Sequence, residues 1–147
     1  MNKYYEKMAE YDEDATFLVA FHPYYRTAKF AQRKSENEKA LKYYRKALGF
    51  YSDNEADGAK RENMGQIYYD MGTVCLSCHD NAKAWEYIDK SINYSPAENP
   101  QRNYVMAVLC ATEGRMDEAR ELVDGLPDYL KINCQQIISS LAGGEGK

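Results

Sequence analysis

The chain has 147 residues, of which 44% are hydrophobic and 29% are charged, and its formal net charge is −4. This hydrophobic content excludes an intrinsically disordered chain, and the length predicts one domain with a substantial core. The acidic balance disfavours sequence-independent nucleic-acid binding, which needs a basic face to neutralise phosphates.

The N-terminal segment carries no sign of export or of membrane insertion. Its longest apolar run, Phe17–Phe21, is far too short to span a bilayer or to serve as a signal-peptide core. We therefore expect a cytoplasmic protein with no membrane segment. Upstream, Tyr4–Met8 resembles the later helical stretch Tyr43–Ala47, and the acidic run Glu10–Asp14 is typical of a solvated helix end and loop.

A first pair of helices is predicted over Tyr24–Arg33 and Glu38–Leu48. In the first of these, small and aromatic residues recur at offsets of three and four, which fall on one helix face: Tyr24, Thr27, Ala28 and Ala31. The stretch Ser52–Asn63 that follows is predicted to hold a loop and an extension of the next helix.

A second helix pair is predicted between Gly65 and Glu98. Its apolar and small residues follow the same spacing in both helices: Tyr68, Met71, Gly72, Cys75, Ala84, Ile88 and Ser91. Gly72 and Ala84 predict a close crossing of the two helices, and Pro96 predicts the end of the second one because proline cannot continue a helix.

A third pair repeats this pattern 35 residues later, with Ala107, Cys110, Ala119 and Val123 at the equivalent positions and Gly114 at the turn. Its second helix is predicted to be short because Gly125 and Pro127 interrupt it. The stretch Tyr129–Leu141 has an apolar stripe, which predicts a helix packed on the last pair.

These spacings resemble the tetratricopeptide repeat, a helix–turn–helix unit of 34 residues. The resemblance implies an all-α fold, a right-handed superhelical stack of antiparallel helix hairpins. It places a single domain at residues 1–142, with repeats at about 21–54, 65–98 and 100–127, a capping helix at about 128–142 and a flexible tail at 143–147. Two residues depart from the family pattern, Asn103 at a bulky apolar position and His79 at the usual glycine of the turn.

The resemblance also implies a protein–protein interaction scaffold or adaptor that holds a peptide or helix of a partner in a concave groove. Such a protein is not an enzyme and needs no cofactor, and an oligomer is compatible with it. Placed on the family pattern, the groove residues are Tyr25, Arg26, Lys29, Arg33, Gln66, Tyr69, Thr73, Tyr104 and Val108. Three equivalent tyrosines would line its floor, and the three basic residues would favour an acidic segment. The Lys/Asn/Arg clamp of chaperone-binding members is not reproduced.

Two alternatives to an adaptor follow from length and from the cysteines. A small secretion-type chaperone has a similar length and repeat number. In another class, Cys75–His79 matches the CxxCH pattern of haem attachment, and its cysteines could serve dithiol chemistry or join Cys110 or Cys134 at a zinc ion. We favour structural cysteines, since Cys75 and Cys110 occupy the same position in successive repeats and free cysteine is usually buried.

Overall fold

The computed structural model describes residues 23–51 and 58–145, which form seven α-helices and no strand. In chain order these are α1 (Pro23–Arg33), α2 (Asn37–Tyr51), α3 (Gly58–Ser77), α4 (Asn81–Tyr94), α5 (Pro100–Thr112), α6 (Met116–Asp124) and α7 (Asp128–Glu145). Consecutive helices pair as hairpins, α1 with α2, α3 with α4 and α5 with α6. The predicted all-α class of stacked helix hairpins is therefore confirmed.

The chain divides into two compact units between Pro96 and Ala97. In the first unit, α2 packs against α3 and so joins the two hairpins. In the second unit, α7 packs on α5 and, over a smaller contact, on α6. The prediction of one domain over residues 1–142 stays a prediction. The helical stretch predicted at Tyr4–Met8 and the acidic run Glu10–Asp14 lie outside the described residues.

The same turn closes all three hairpins. A residue with positive φ follows each first helix: Ser35 (60°), His79 (61°) and Gly114 (78°). The next residue's amide then donates to a carbonyl five positions back, at Ala31, Cys75 and Cys110, over 2.8–2.9 Å. This is the Schellman arrangement, which satisfies carbonyls that the helix end leaves without partners. His79 therefore adopts the left-handed conformation that glycine takes most easily.

Small residues bring α3 and α4 together, as the sequence predicts. A Cβ built on Gly72 would lie 3.0 Å from Cδ1 of Ile88 and 3.4 Å from the carbonyl oxygen of Ala84. The contact is tighter at Gly65, seven residues earlier in α3, where an added Cβ would lie 2.6 Å from Cβ of Ser95. The Ser91 hydroxyl donates to the carbonyl of Gly65 over 2.8 Å. These glycines allow the two backbones to approach more closely than any larger residue would.

Aromatic clusters account for several of the 14 tyrosines. In each of the first two hairpins, a tyrosine of the first helix packs against one of the second helix, and a lysine ammonium lies within 6 Å of both rings. Such cation–π pairs stabilise partly exposed aromatic surface. The ring centroids are 6.3 Å apart in one cluster and 6.2 Å apart in the other. The two clusters are Tyr24–Tyr43–Lys46 and Tyr68–Tyr87–Lys90.

Three helices begin or end at positions that differ from the regular repeat spacing or from the predicted bounds. α3 begins at Gly58, well before the repeat start at Gly65, which confirms the predicted helix extension. α6 has nine residues, because Gly125 and Pro127 end it early as predicted. α7 continues to Glu145, past the predicted end near residue 142, since two glycines lower helix propensity without removing backbone donors. No helix within the described ranges has the length and apolar character needed to cross a membrane.

Candidate functional site

A buried carboxylate joins the first helices of the two hairpins in the first unit. Asp70 lies in the middle of α3 and is 1% exposed. The hydroxyl of Tyr25 on α1 donates to its Oδ2. The ammonium of Lys29, one turn further along α1, lies 3.1 Å from its Oδ1. A buried carboxylate is costly unless it is paired and hydrogen-bonded, and here α1 supplies both kinds of partner.

The hydrogen bonds around Asp70 extend into a network that includes α2. On α3 itself, the Gln66 amide donates to Oδ2 of Asp70 over 3.3 Å. The Thr73 hydroxyl donates to the backbone carbonyl of Asp70 over 2.6 Å. Thr73 in turn accepts from the Gln32 amide of α1 over 2.9 Å, and Tyr44 of α2 donates to the Gln32 carbonyl oxygen. We call this connected set the Asp70 network: Tyr25, Lys29, Gln32, Tyr44, Gln66, Asp70 and Thr73.

Burial controls the protonation of the network. It raises the pKa of Asp70 above its usual range, and the ammonium of Lys29 and the hydroxyl of Tyr25 oppose that rise. Burial also raises the pKa of Tyr25, and the neighbouring Asp70 charge adds to the effect. The pKa of Tyr44 is raised in the same way, first by burial and then by Asp70. Both tyrosines therefore remain protonated donors throughout the physiological pH range.

The geometry of the network suits structure rather than catalysis. The carboxylate oxygens of Asp70 already accept from Tyr25, Lys29 and Gln66, and they are almost completely buried. A general acid or base must lie within hydrogen-bond reach of a substrate proton. Perturbed pKa values arise in structural ion-pair networks as well as in active sites. The connectivity of the Asp70 network is that of a structural ion-pair network.

The structure brings four of the nine predicted groove residues together in this network, namely Tyr25, Lys29, Gln66 and Thr73. Tyr25 is only 5% exposed and points its hydroxyl into the protein, so it is not an open ring on a groove floor. Arg26 and Arg33 are exposed on α1, and Tyr69 is half-buried on α3. The first unit thus offers a mixed face in which polar side chains surround the ion pair of the part-exposed Lys29 and the buried Asp70.

The remaining two predicted groove residues belong to the second unit. Tyr104 on α5 is half-buried, and its hydroxyl accepts a 3.1 Å hydrogen bond from the amide of Asn133 on α7. Val108 is 9% exposed and belongs to the apolar interior. A groove that runs through both units stays a prediction.

The importance of Asp70 could have been found from its position in α3. It lies among buried apolar residues of one helix, Ile67, Met71 and Val74, where a carboxylate needs a partner. In the repeat pattern Asp70 falls among the groove positions of the second helix pair, but the pattern predicts neither its burial nor its partners. Gln32 and Tyr44 carry no such signal, because their roles depend on contacts between helices that are distant in sequence.

The cysteines divide into three buried thiols and one exposed thiol. Cys75, Cys110 and Cys134 are buried, Cys78 is exposed, and all four are free. Burial raises the pKa of each of the three buried thiols, which disfavours the thiolate form needed for redox chemistry. Within residues 23–51 and 58–145, no group of three or more His, Cys, Asp or Glu side chains is placed to hold a metal ion.

Comparison with known proteins gives one informative similarity. The chain is 29% identical over 114 residues to the Photosystem I assembly protein Ycf3 of Rippkaea orientalis (strain PCC 8801 / RF-1). The alignment covers 74% of this chain but 62% of that protein, so the chain spans less than two thirds of the relative's length. No family model matches the chain, and no solved structure matches it. The similarity and the helix hairpins are compatible with a tetratricopeptide-like protein and support a role in protein interaction in general.

Proposed function

We propose that this chain is a tetratricopeptide-like adaptor that binds an extended peptide or a helix of a protein partner. The observation that carries the proposal is the Asp70 network, which holds α1 and α3 together and places predicted groove residues side by side. Such a rigid pair of helices presents its outer side chains in fixed positions, which lowers the entropic cost of binding. Tyr69 and the two exposed arginines, Arg26 and Arg33, are the contact residues of this surface.

The similarity to an assembly protein supports a non-enzymatic role of the same kind. In this proposal the chain helps to assemble a protein complex by holding one component, and it uses neither a cofactor nor a nucleic acid. In the second unit, the half-buried Tyr104 on α5 is a further candidate contact residue. Stacked hairpins of this type bind partners along extended surfaces, so a ligand that contacts several repeats is expected.

The test is site-specific photocrosslinking in the source organism. A photoreactive phenylalanine analogue replaces Tyr69 on α3 in one variant and the exposed Lys83 on α4 in a matched control. We expect the Tyr69 variant to crosslink a defined protein, identified by mass spectrometry, and the Lys83 variant to give no such product. Crosslinking of the same partner from Lys83 alone would place the binding surface on another side and contradict the proposal.

A further inference from the structure

The outer side of α1 is basic and carries one exposed aromatic ring. Residues 23–34 contain no aspartate or glutamate, and the basic side chains share one side of the helix with Phe30. Phe30 is 45% exposed, although it is one of the large apolar residues of the chain. The Lys34 ammonium lies 4.5 Å from the centre of its ring. We call this surface the α1 basic face: Arg26, Lys29, Phe30, Arg33 and Lys34.

The charge of this face contrasts with that of the whole protein. The chain has a net charge of −4, yet α1 and the residue that follows it carry four cations within residues 26–34, of which Lys29 pairs with Asp70. Clustered charge of one sign steers a partner of opposite charge and sets its orientation. Lys29 also contributes, because 40% of its side chain is exposed and an ammonium has donors beyond the one that Asp70 accepts.

We propose that the α1 basic face binds an acidic segment of the partner protein that carries an aromatic side chain. This inference rests on the proposed adaptor function and defines the chemistry of its ligand. Carboxylates of the segment pair with Arg26 and Arg33, and its aromatic ring packs on Phe30 and Lys34. Arginine and aromatic residues in contact with a partner typically supply most of the binding energy of an interface.

The spacing of the cations predicts the pattern of the ligand. Arg26 and Arg33 are seven residues apart, about 10 Å along a helix axis. An extended chain covers that distance in about three residues. Because only alternate side chains of an extended chain face the same side, the acidic segment should hold two carboxylates four positions apart with the aromatic residue midway between them, a spacing that the long arginine side chains can reach. A nucleic acid is disfavoured, since the protein is acidic overall.

Fluorescence anisotropy with designed peptides tests the proposal on the full chain. The probe is a short labelled peptide in which aspartates flank a phenylalanine, and two matched peptides replace the phenylalanine by alanine or the aspartates by asparagines. We expect the wild-type protein to bind the probe and to bind each altered peptide about tenfold more weakly. Binding should also weaken as salt is added, because exposed charges are screened.

Protein variants locate the binding surface. The double change Arg26→Glu and Arg33→Glu should weaken probe binding at least about tenfold. Phe30→Ala should weaken binding of the phenylalanine peptide but not of its alanine analogue. The matched control, Arg45→Glu with Lys83→Glu, makes the same change of charge at exposed positions on α2 and α4 and should bind as wild type. Circular dichroism establishes that every variant is folded.

Four results would overturn the proposal. One is equal weakening by the control pair and by the α1 pair, and another is displacement of the probe by a single-stranded oligonucleotide but not by unlabelled peptide. The third concerns Glu10–Asp14, a segment of this chain with similar chemistry. If the probe bound only after its acidic residues were neutralised, that segment and not a partner would be the occupant. If a partner crosslinks at Tyr69 but its binding does not depend on acidic residues in its bound segment, this inference is refuted and the adaptor function remains intact.

Discussion

Replacement of Lys29 by methionine removes the cation that faces the buried Asp70 carboxylate while keeping most of the aliphatic stem. At 3.1 Å, the attraction between two unit charges is about 5 kcal/mol for an effective dielectric constant of ~20. Lys29 is 40% exposed, so water screening and the cost of ordering the lysine reduce the expected loss of unfolding free energy to about 2 kcal/mol at neutral pH.

The loss should depend on pH in a defined direction. Below the pKa of an unfolded aspartate, about 4, Asp70 is protonated in both states and Lys29→Met should cost little. Burial already raises the pKa of folded Asp70, and removal of Lys29 raises it further because the largest opposing influence is gone. The stability of the variant relative to wild type should therefore begin to fall when the pH exceeds the folded pKa of Asp70 in the wild type, and should level off above the higher folded pKa in the variant, because the two unfolded states titrate alike.

Urea titrations followed by circular dichroism at several pH values measure this profile. Lys39→Met is the matched control, because Lys39 pairs at 3.8 Å with Glu36 and both side chains are about half exposed. It should cost no more than about 0.5 kcal/mol at any pH. Adding Asp70→Asn to Lys29→Met should remove the pH dependence. A cost of Lys29→Met that is the same at low pH, where Asp70 is protonated, and at high pH, where it is ionised, would show that Asp70 is not the group that Lys29 stabilises.

Three further predictions concern the hairpins, and thermal or urea unfolding measures each of them. Gly65→Ala should lower the unfolding free energy by about 2 kcal/mol, because its Cβ would meet Ser95 at 2.6 Å. The control Gly49→Ala lies in open space on α2 and should raise the unfolding free energy by about 0.5 kcal/mol. Equal effects of the two changes would contradict the close crossing of α3 and α4. His79→Gly should stabilise by about 0.5 kcal/mol by relieving a left-handed residue, and Gly114→Ala should destabilise by about 1 kcal/mol. Ala84→Leu should overpack the α3–α4 crossing and cost about 1–3 kcal/mol, so an unchanged midpoint would be inconsistent with the register.

The hairpins could be predicted because their determinants are local. The residues that face each other across the three hairpins recur with the repeat, and the structure buries the equivalent alanines Ala40, Ala84 and Ala119 completely. Turn residues also recur, and His79 keeps the turn conformation although its side chain does not favour it. Helix periodicity and turn chemistry together are therefore sufficient to place most of the helices.

The site was harder to predict because it depends on contacts between repeats. Tyr25, Tyr69 and Tyr104 are equivalent in the sequence pattern, yet the hydroxyl of Tyr25 bonds Asp70 and that of Tyr104 bonds Asn133. Which partner a tyrosine finds is decided by the next helix in the stack, and the repeat pattern does not constrain that residue. The equivalence of these positions in the repeat pattern therefore did not predict which of the tyrosines are buried or what they bond.

The Asp70 network also has a consequence for how the first unit unfolds. In a linear array of repeats, each hairpin is held by its own stability and by its contact with the next one. Charged and hydrogen-bonded contacts between α1 and α3 strengthen the contact between the first and second hairpins relative to the stability of either hairpin alone. Opening of one hairpin would leave Asp70 or Tyr25 without its partner, so the two should open in a single cooperative step. Amide hydrogens in the middle of α1 and of α3 should then exchange with similar protection.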